Sequence, residues 1–187
     1  QGSSAFHPDH RWGMFWSASA GWMLSKEKWF KADWVDELKL KASYGENGND
    51  LGMRYSYYYT NRYTIVNSDN NIALTPSTTK GNEELTWEKN SKFNVGVDFS
   101  LFKGRLTGTM EYYNNRTEDM LATIPYPPTL GYTSALANVG NMSNQGFEME
   151  LRGDIIRTSD FNWNMYANIS TNSNKITKLH EERKKQE

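Results

Sequence analysis

The segment 85–113 carries the pattern that most restricts how this chain can fold. Apolar side chains alternate with small or polar ones from Phe93 to Leu101, and the alternation resumes at Leu106 after a break at Lys103–Gly104. Successive side chains of a β-strand point to opposite faces, so a period of two predicts strands with one apolar and one polar face. Two such strands joined by a short, glycine-containing break predict a β-hairpin.

The same alternation recurs along the chain and predicts six strands, at about residues 12–24, 37–46, 85–102, 105–122, 141–152 and 161–178. The first, third and fifth connections are short, whereas the second and the fourth are long. Alternate connections of an antiparallel up-and-down sheet lie on the same rim. The sequence therefore predicts an all-β sheet with short turns on one rim and long loops on the other, an asymmetry typical of outer-membrane barrels.

The two long connections are predicted to be mostly irregular. Residues 47–84 are rich in Asn, Ser, Thr and Asp, and only the aromatic stretch Arg54–Val66 favours a strand. Residues 123–140 contain three prolines and two glycines, which favour a loop. Long loops on one rim are expected in a membrane barrel and are uncommon inside a compact domain.

Composition excludes several classes of protein. The net charge is −1, which gives no electrostatic reason to expect a nucleic-acid partner. The chain has no cysteine, so disulfides and thiolate metal sites are excluded. No run of about 18 apolar residues predicts a transmembrane helix. The mean hydropathy of −0.80 fits either a soluble β domain or the alternating strands of a membrane barrel.

The sequence shows no constellation of catalytic, cofactor-binding or metal-binding residues. The chain has three histidines, and none is placed with a serine and an aspartate as in a catalytic triad. We interpret the acid pairs Glu83–Glu84 and Glu118–Asp119 as solvated charges rather than as glycosidase acids. We therefore expect neither an enzyme nor a bound cofactor.

Five blocks of the sequence resemble one family, in the order in which that family has them. The chain is similar to SusC/RagA-type TonB-dependent outer-membrane transporters, with one departure at Trp16, where a proline is usual in the family. The blocks are Arg11–Trp22, Leu38–Asn49, Leu85–Leu121, Pro127–Leu151 and Phe161–Leu179. Together they cover nearly the whole chain.

The resemblance implies that the chain is part of a barrel of about 22 strands in the outer membrane of a Gram-negative bacterium. Residues 1–187 would be an internal slice of the wall, from the C-terminal half of the barrel, without the plug domain or the TonB box. Residues 180–187 would be a charged tail. The implied partners are the TonB complex, a SusD-like lipoprotein, outer-membrane lipid and an oligosaccharide or peptide substrate. The isolated piece would have two open sheet edges, through which we expect it to self-associate.

In such a barrel, the two faces of each strand have different surroundings. The apolar face would contact lipid and includes Phe93, Val95, Val97, Phe99, Leu106, Met110, Phe147, Met149, Leu151, Trp163 and Ile169. The polar face would line the lumen and includes Asn94, Asp98, Thr107, Thr109, Glu111, Glu148, Glu150, Arg152, Asn162 and Asn164. The candidates for the aromatic girdles at the membrane interfaces are Trp12, Trp87, Tyr112 and Trp163.

The loops offer tyrosines whose flat rings could stack on sugar rings. These candidate substrate contacts are Tyr55, Tyr57, Tyr58, Tyr59, Tyr63, Tyr126 and Tyr132. The alternative is that they serve the girdle or pack within the loops. The alternative for the whole chain is a soluble, secreted carbohydrate-binding β-sandwich, which would bury its apolar strand face against a second sheet.

Overall fold

The computed structural model of the protein describes residues 1–52, 57–68 and 71–179. In these ranges it contains eleven β-strands and three single-turn 3₁₀ helices, at Pro8–His10, Leu24–Lys26 and Pro128–Leu130. The strands are β1 (Ser17–Met23), β2 (Val35–Asn49), β3 (Tyr63–Ser68), β4 (Asn71–Pro76), β5 (Thr79–Lys80), β6 (Glu88–Leu101), β7 (Leu106–Glu118), β8 (Leu121–Pro125), β9 (Ser134–Asn138), β10 (Gly140–Arg157) and β11 (Asn162–Leu179). Within the same ranges, no helix is long and apolar enough to cross a membrane.

The main sheet has the six strands that the alternation predicts. Its order is β1-β2-β6-β7-β10-β11, and every neighbouring pair is antiparallel. The strand ends lie within five residues of prediction, and the two largest differences are of five residues each. The first strand begins at Ser17 rather than at residue 12, and β10 continues to Arg157 instead of ending at residue 152. The up-and-down prediction is confirmed.

The connections of the main sheet fall on the rims that the sequence predicts. Residues 24–34, 102–105 and 158–161 make the short turns, and we call their side of the sheet the short-turn rim. Residues 50–87 and 119–139 make the long connections on the opposite side, the long-loop rim. In the turn at 102–105, Phe102, Lys103 and Gly104 all have positive φ, and the Gly104 amide donates to the Asp36 carboxylate at 2.9 Å.

The register of the strands separates an apolar face from a polar one. One row across the sheet reads Trp22, Leu40, Val97, Met110, Met149 and Ile169. The neighbouring row on the other face reads Met23, Lys39, Asp98, Thr109, Glu150 and Asn168, and it is polar apart from Met23 at its β1 end. A one-residue slip would exchange these faces, so the alternation fixes the register.

The apolar face of the main sheet is open in the described part of the chain. Trp22, Met165 and Ile169 are 49%, 51% and 55% exposed, although each lies on the apolar face. A soluble sandwich would bury these side chains under a second sheet. The sandwich alternative is therefore not supported, and the sheet is an open slice that needs an apolar environment.

The long connections contain more regular structure than the sequence predicts. The hairpin β3–β4 lies within residues 47–84, and β5, β9 and β8 form a three-stranded sheet that joins both long connections. The strand expected over Arg54–Val66 begins at Tyr63, and residues 54–56 of that prediction lie outside the described residues. These short strands pair across the rim, which local patterns do not reveal.

The buried hydrophobic residues of the described chain cluster at the long-loop rim and not in the main sheet. The rim core, as we call this cluster, consists of Ala5, Phe6, Leu85, Trp87, Leu121 and Leu136. Phe15 packs against it, and its ring also lies over Gly48 of β2, where a Cβ would overlap the ring. The rim core thereby joins the N-terminal segment, the end of the first long loop and the β8–β9 sheet to the main sheet.

Candidate functional site

The polar face carries a three-residue ion cluster near its centre. The Lys41 ammonium lies 2.9 Å from the Asp98 carboxylate and 3.4 Å from the Glu111 carboxylate. Thr109 also donates its hydroxyl to Asp98. Lys41 reaches both acids because its partner in register is Gly96, where a Cβ would lie 2.7 Å from the Lys41 Cε. Gly96 has no side chain, so the space beside it is open for the Lys41 side chain to reach Asp98 and Glu111 on the neighbouring strands.

Replacing Lys41 with methionine removes the ammonium and leaves Asp98 and Glu111 without their cation. The three side chains are 30–35% exposed, so solvent screens the pair, and we expect a loss of about 1 kcal/mol or less in unfolding free energy. Denaturant unfolding of the full-length protein in detergent measures it. Lys39→Met is the matched control, since Lys39 makes no ion pair within the described residues. Equal losses in both variants would contradict the role of the cluster.

Small side chains make shallow depressions along the same face. One, of about 370 Å³, lies beside the ion cluster and is bordered by Ser19, Gly21, Lys39, Ser43, Asn94 and Gly96 among others. Its neighbour, of about 330 Å³, continues along β1 and β2 past Ser17, Gly45 and Asn47. The face is thus polar, charged and uneven, as suits a wall that lines an aqueous or protein-filled interior.

The long-loop rim holds a larger cleft of about 540 Å³, which we call the rim cleft. It is bordered by residues of β5, β8 and β9 and by the segment 81–84. The lining residues are Lys80, Gly81, Asn82, Glu83, Glu84, Ile124, Tyr126, Ala135, Ala137 and Asn138. Its volume is within the range of about 300–1,000 Å³ found for small-molecule sites.

The predicted substrate tyrosines do not form one group. Tyr126 lines the rim cleft, with the Lys80 ammonium 5.7 Å from its ring centre. Tyr58 packs on the rim core, with the Arg62 guanidinium 4.9 Å from its ring centre. Tyr59 contacts the rings of His7 and Tyr57 at 5.8 and 6.2 Å.

The remaining tyrosines lie apart. Tyr63 is exposed on β3, Tyr132 is half-buried beside β9, and Tyr55 lies outside the described residues. Among the described candidate tyrosines, Tyr126 is the one that lines the rim cleft, together with the charged residues Lys80, Glu83 and Glu84.

Within residues 1–52, 57–68 and 71–179, no group of three or more His, Asp or Glu side chains is arranged to hold a metal ion.

Comparison with known proteins agrees with this architecture. The family described as TonB dependent receptor-like, beta-barrel matches residues 2–184. The chain belongs to this family. Two solved structures of the RagAB peptide transporter superpose on it: the importer in the closed-closed state has a TM-score of 0.82 at 33% identity, and a second structure has 0.81 at 34%. Each alignment covers 95% of this chain and 19% or 20% of the other.

Curated TonB-dependent receptors align over almost the whole chain. TonB-dependent receptor SusC of Bacteroides thetaiotaomicron is 33% identical over 185 residues, and TonB-dependent receptor P39 of Formosa agariphila is 35% identical over 183 residues. The chain spans 18% and 17% of the length of these relatives. Their names describe receptors rather than enzymes. The resemblance to SusC and RagA is thereby confirmed, and the main sheet is a slice of the TonB-dependent receptor barrel.

In a TonB-dependent receptor barrel, the girdle candidates have different surroundings. Trp87 is 7% exposed within the rim core, so protein encloses its side chain and it does not lie on the lipid-facing surface. Trp12 is 79% exposed in the N-terminal segment, before β1, where it bridges to Gly2. Tyr112 lies on the apolar face of β7, and Trp163 lies on that face at the short-turn end of β11. The last two stay predicted girdle residues.

The turns of the short-turn rim contribute aromatic residues that strand alternation does not indicate. Trp29, Trp34, Phe102 and Phe161 are all more than half exposed there, and Trp34 stacks on Phe102 at 5.8 Å. Trp16 and Tyr44 form a second aromatic pair, 5.2 Å apart, towards the long-loop rim.

The spacing of these two aromatic pairs fits the thickness of a membrane. From Val35, next to Trp34, to Tyr44, β2 rises about 30 Å along its own axis, at roughly 3.3 Å per residue. With a strand tilt of about 40°, this corresponds to a height of roughly 23 Å, close to the apolar band of about 25 Å in outer-membrane barrels. The two aromatic pairs therefore have the separation expected for two membrane interfaces.

Proposed function

We propose that the chain forms part of the wall of an outer-membrane, TonB-dependent transporter that imports oligosaccharides or peptides. The observation that carries the proposal is the six-stranded sheet itself. It is two-faced, its short and long connections are segregated to opposite rims, and it superposes on an importer barrel with a TM-score of 0.82. Its edges at β1 and β11 would pair with the neighbouring strands of the complete barrel.

The proposal assigns a direction to each surface. The apolar face contacts lipid, and the polar face with Lys41, Asp98 and Glu111 borders the lumen. The short-turn rim faces the periplasm, and the long-loop rim, with the rim core and the rim cleft, faces the outside. Short periplasmic turns and longer extracellular loops are the general arrangement in such barrels, which supports this orientation.

The proposed partners follow from the family and from the SusC and RagAB relatives. A SusD-like lipoprotein would cover the long-loop rim, and the TonB complex would drive import from the periplasmic side. The plug domain and the TonB box would belong to the remainder of the transporter, since the chain spans 17–18% of the curated relatives. In this arrangement the chain supplies wall and outer loops and does not transport by itself.

The proposal predicts where the full-length protein is found and what its loss does. The full-length protein should fractionate with the outer membrane, and deletion of its gene should abolish growth on at least one oligosaccharide or peptide source. Growth should return with the intact gene but not with a copy whose TonB box is disrupted. Recovery in a soluble fraction, or unchanged growth on every oligosaccharide and peptide source, would contradict the proposal.

A further inference from the structure

We propose that a depression on the lipid-facing side of the main sheet binds the phosphorylated headgroup of a glycolipid in the outer leaflet of the membrane. The inference rests on the proposed function, which turns the apolar face to lipid and the long-loop rim to the outside. It adds a binding site on the outer surface of the barrel. The lipid-side depression, as we call it, measures about 250 Å³ and is bordered by Tyr44, Ser91, Phe93, Asn114, Arg116 and Glu118.

The register places the lipid-side depression where the apolar face turns polar. Two neighbouring rows of this face cross it. The first reads Ala18, Tyr44, Phe93, Asn114, Gln145 and Ser173, and the second reads Glu46, Ser91, Arg116, Ser143 and Lys175. The second row lies about 7 Å further towards the long-loop rim, two residues at roughly 3.3 Å each. Because Tyr44 belongs to the aromatic pair at the outer interface, the second row begins where acyl chains give way to headgroups.

Arg116 brings an uncompensated positive charge to this position. Its side chain is exposed, and the ion pairs of the described residues do not include it. Glu118 borders the same depression, but it lies opposite Lys89 in register, so a cation already stands beside it. Glu46 accepts a tyrosine hydroxyl at 2.8 Å. Lys175, exposed in the same row as Arg116, adds a second positive charge, and cations beside the headgroup layer attract phosphates.

A phosphorylated glycolipid matches the groups around the depression better than a simple phospholipid does. The planar guanidinium of Arg116 suits the two-point binding of a phosphate. The rings of Tyr44 and Phe93 offer apolar faces to a sugar ring. The side-chain oxygen of Asn114 is buried without a hydrogen-bond partner among the described residues, and a hydroxyl of a sugar headgroup would remove the cost of leaving it unpaired. A diacyl phospholipid supplies the phosphate but no sugar ring.

The test uses the full-length transporter purified in detergent, and native mass spectrometry measures the fraction that carries one lipid. The probes are bisphosphorylated lipid A, the same lipid with both phosphates removed, and phosphatidylglycerol. We expect bisphosphorylated lipid A to bind about tenfold more tightly than the dephosphorylated form, because the charge-assisted hydrogen bonds need the phosphate. It should also bind more tightly than phosphatidylglycerol.

Two variants locate the site. Arg116→Gln should remove the preference for the phosphorylated lipid and leave the binding of the dephosphorylated lipid unchanged. Ser91→Asp keeps the arginine and adds a carboxylate at the position opposite it in register, so it should have the same effect. The matched controls are Arg152→Gln and Lys92→Gln, which change exposed cations on the polar face of β10 and β6. Both controls should bind the three probes as the unchanged protein does.

The outcomes separate the parts of the proposal, once heat-modifiable mobility in gels has shown every variant folded. Equal binding of the two forms of lipid A overturns the phosphate assignment. A preference that survives in Arg116→Gln and Ser91→Asp, or that falls equally in the controls, overturns the location. Binding of phosphatidylglycerol as tight as that of lipid A overturns the glycolipid. These titrations do not depend on the growth and fractionation results, so a failure of the lipid site is distinguishable from a failure of the transport function.

Discussion

Replacing Met149 with arginine should prevent much of the full-length protein from folding in the outer membrane. Met149 lies midway along β10, eight or nine residues from each end, in the apolar row between Met110 and Ile169. An arginine on the lipid face at the midplane costs about 2–4 kcal/mol. Because folded proteins are stable by about 5–15 kcal/mol in total, this cost removes a large part of the margin. The folded fraction is measured by the heat-modifiable mobility of the protein in gels.

The neighbouring position provides the control for this prediction. Glu150 is the next residue of β10 and lies on the polar face, opposite Thr109 and Asn168. Glu150→Arg introduces the same side chain into the same strand at nearly the same depth, and also reverses a charge. It should leave the folded fraction nearly unchanged, because luminal positions tolerate charge. If both variants fold equally well, or if Glu150→Arg is the worse of the two, the assignment of the faces is wrong.

The barrel slice was predictable from sequence because its signal is local. The alternation through Phe93–Leu101 and Phe147–Leu151 sets both the strand and the face of every side chain, so the strand order, faces and rims could be inferred together. Interruptions such as Lys103–Gly104 mark the turns. These inferences need no knowledge of contacts between distant segments, and the main sheet departs from them only at the ends of its strands, by up to five residues.

The rim could not be predicted in the same way, because contacts between distant segments create it. Phe6, Leu85 and Leu136 meet in the rim core although they lie about 50 or more residues apart. The short strands β8 and β9 are contained in a proline-rich loop, where no alternation of apolar and polar residues predicts them. Glu83 and Glu84 are exposed and take part in none of the ion pairs of the described residues, in agreement with their interpretation as solvated charges. The rim cleft forms only when residues 80–84 and the strands β8 and β9 come together in the folded protein.

Trp12 and Trp87 illustrate this limit of prediction from sequence, because they are the same type of residue in very different surroundings. Both lie near the long-loop ends of strands, and composition gives no reason to distinguish them. The structure encloses Trp87, whose indole donates to the Arg11 carbonyl at 3.3 Å, and whose ring lies 5.2 Å from Phe6 and 5.6 Å from Phe15. Trp12 lies against the backbone of Gly2 and is 79% exposed. Tertiary packing alone separates a core residue from a surface one.

Trp87→Ala should therefore open the long-loop rim, whereas Trp12→Ala should not. Removing a buried tryptophan costs about 3–5 kcal/mol, because the apolar contacts are lost and a cavity remains. The rim core is small and distinct from the main sheet, so the loss should appear as local opening while the barrel stays folded. Hydrogen exchange in the full-length protein measures it at the Ser3 amide, bonded to the Arg11 carbonyl, and at the Val139 amide, bonded to the Met120 carbonyl.

In Trp87→Ala, both amides should exchange at least a hundredfold faster, since a loss of about 3 kcal/mol in local stability corresponds to a factor of more than 100. Trp12→Ala should change the exchange at Val139 by less than about tenfold, because exposed substitutions rarely cost more than about 0.5 kcal/mol. Amides in the middle of β6 and β7 should keep their protection in both variants. Similar acceleration in the two variants would show that the rim core does not depend on Trp87. Loss of protection throughout β6 and β7 would show that the rim and the barrel wall form one cooperative unit, so that the loops could not rearrange around a substrate without disturbing the wall.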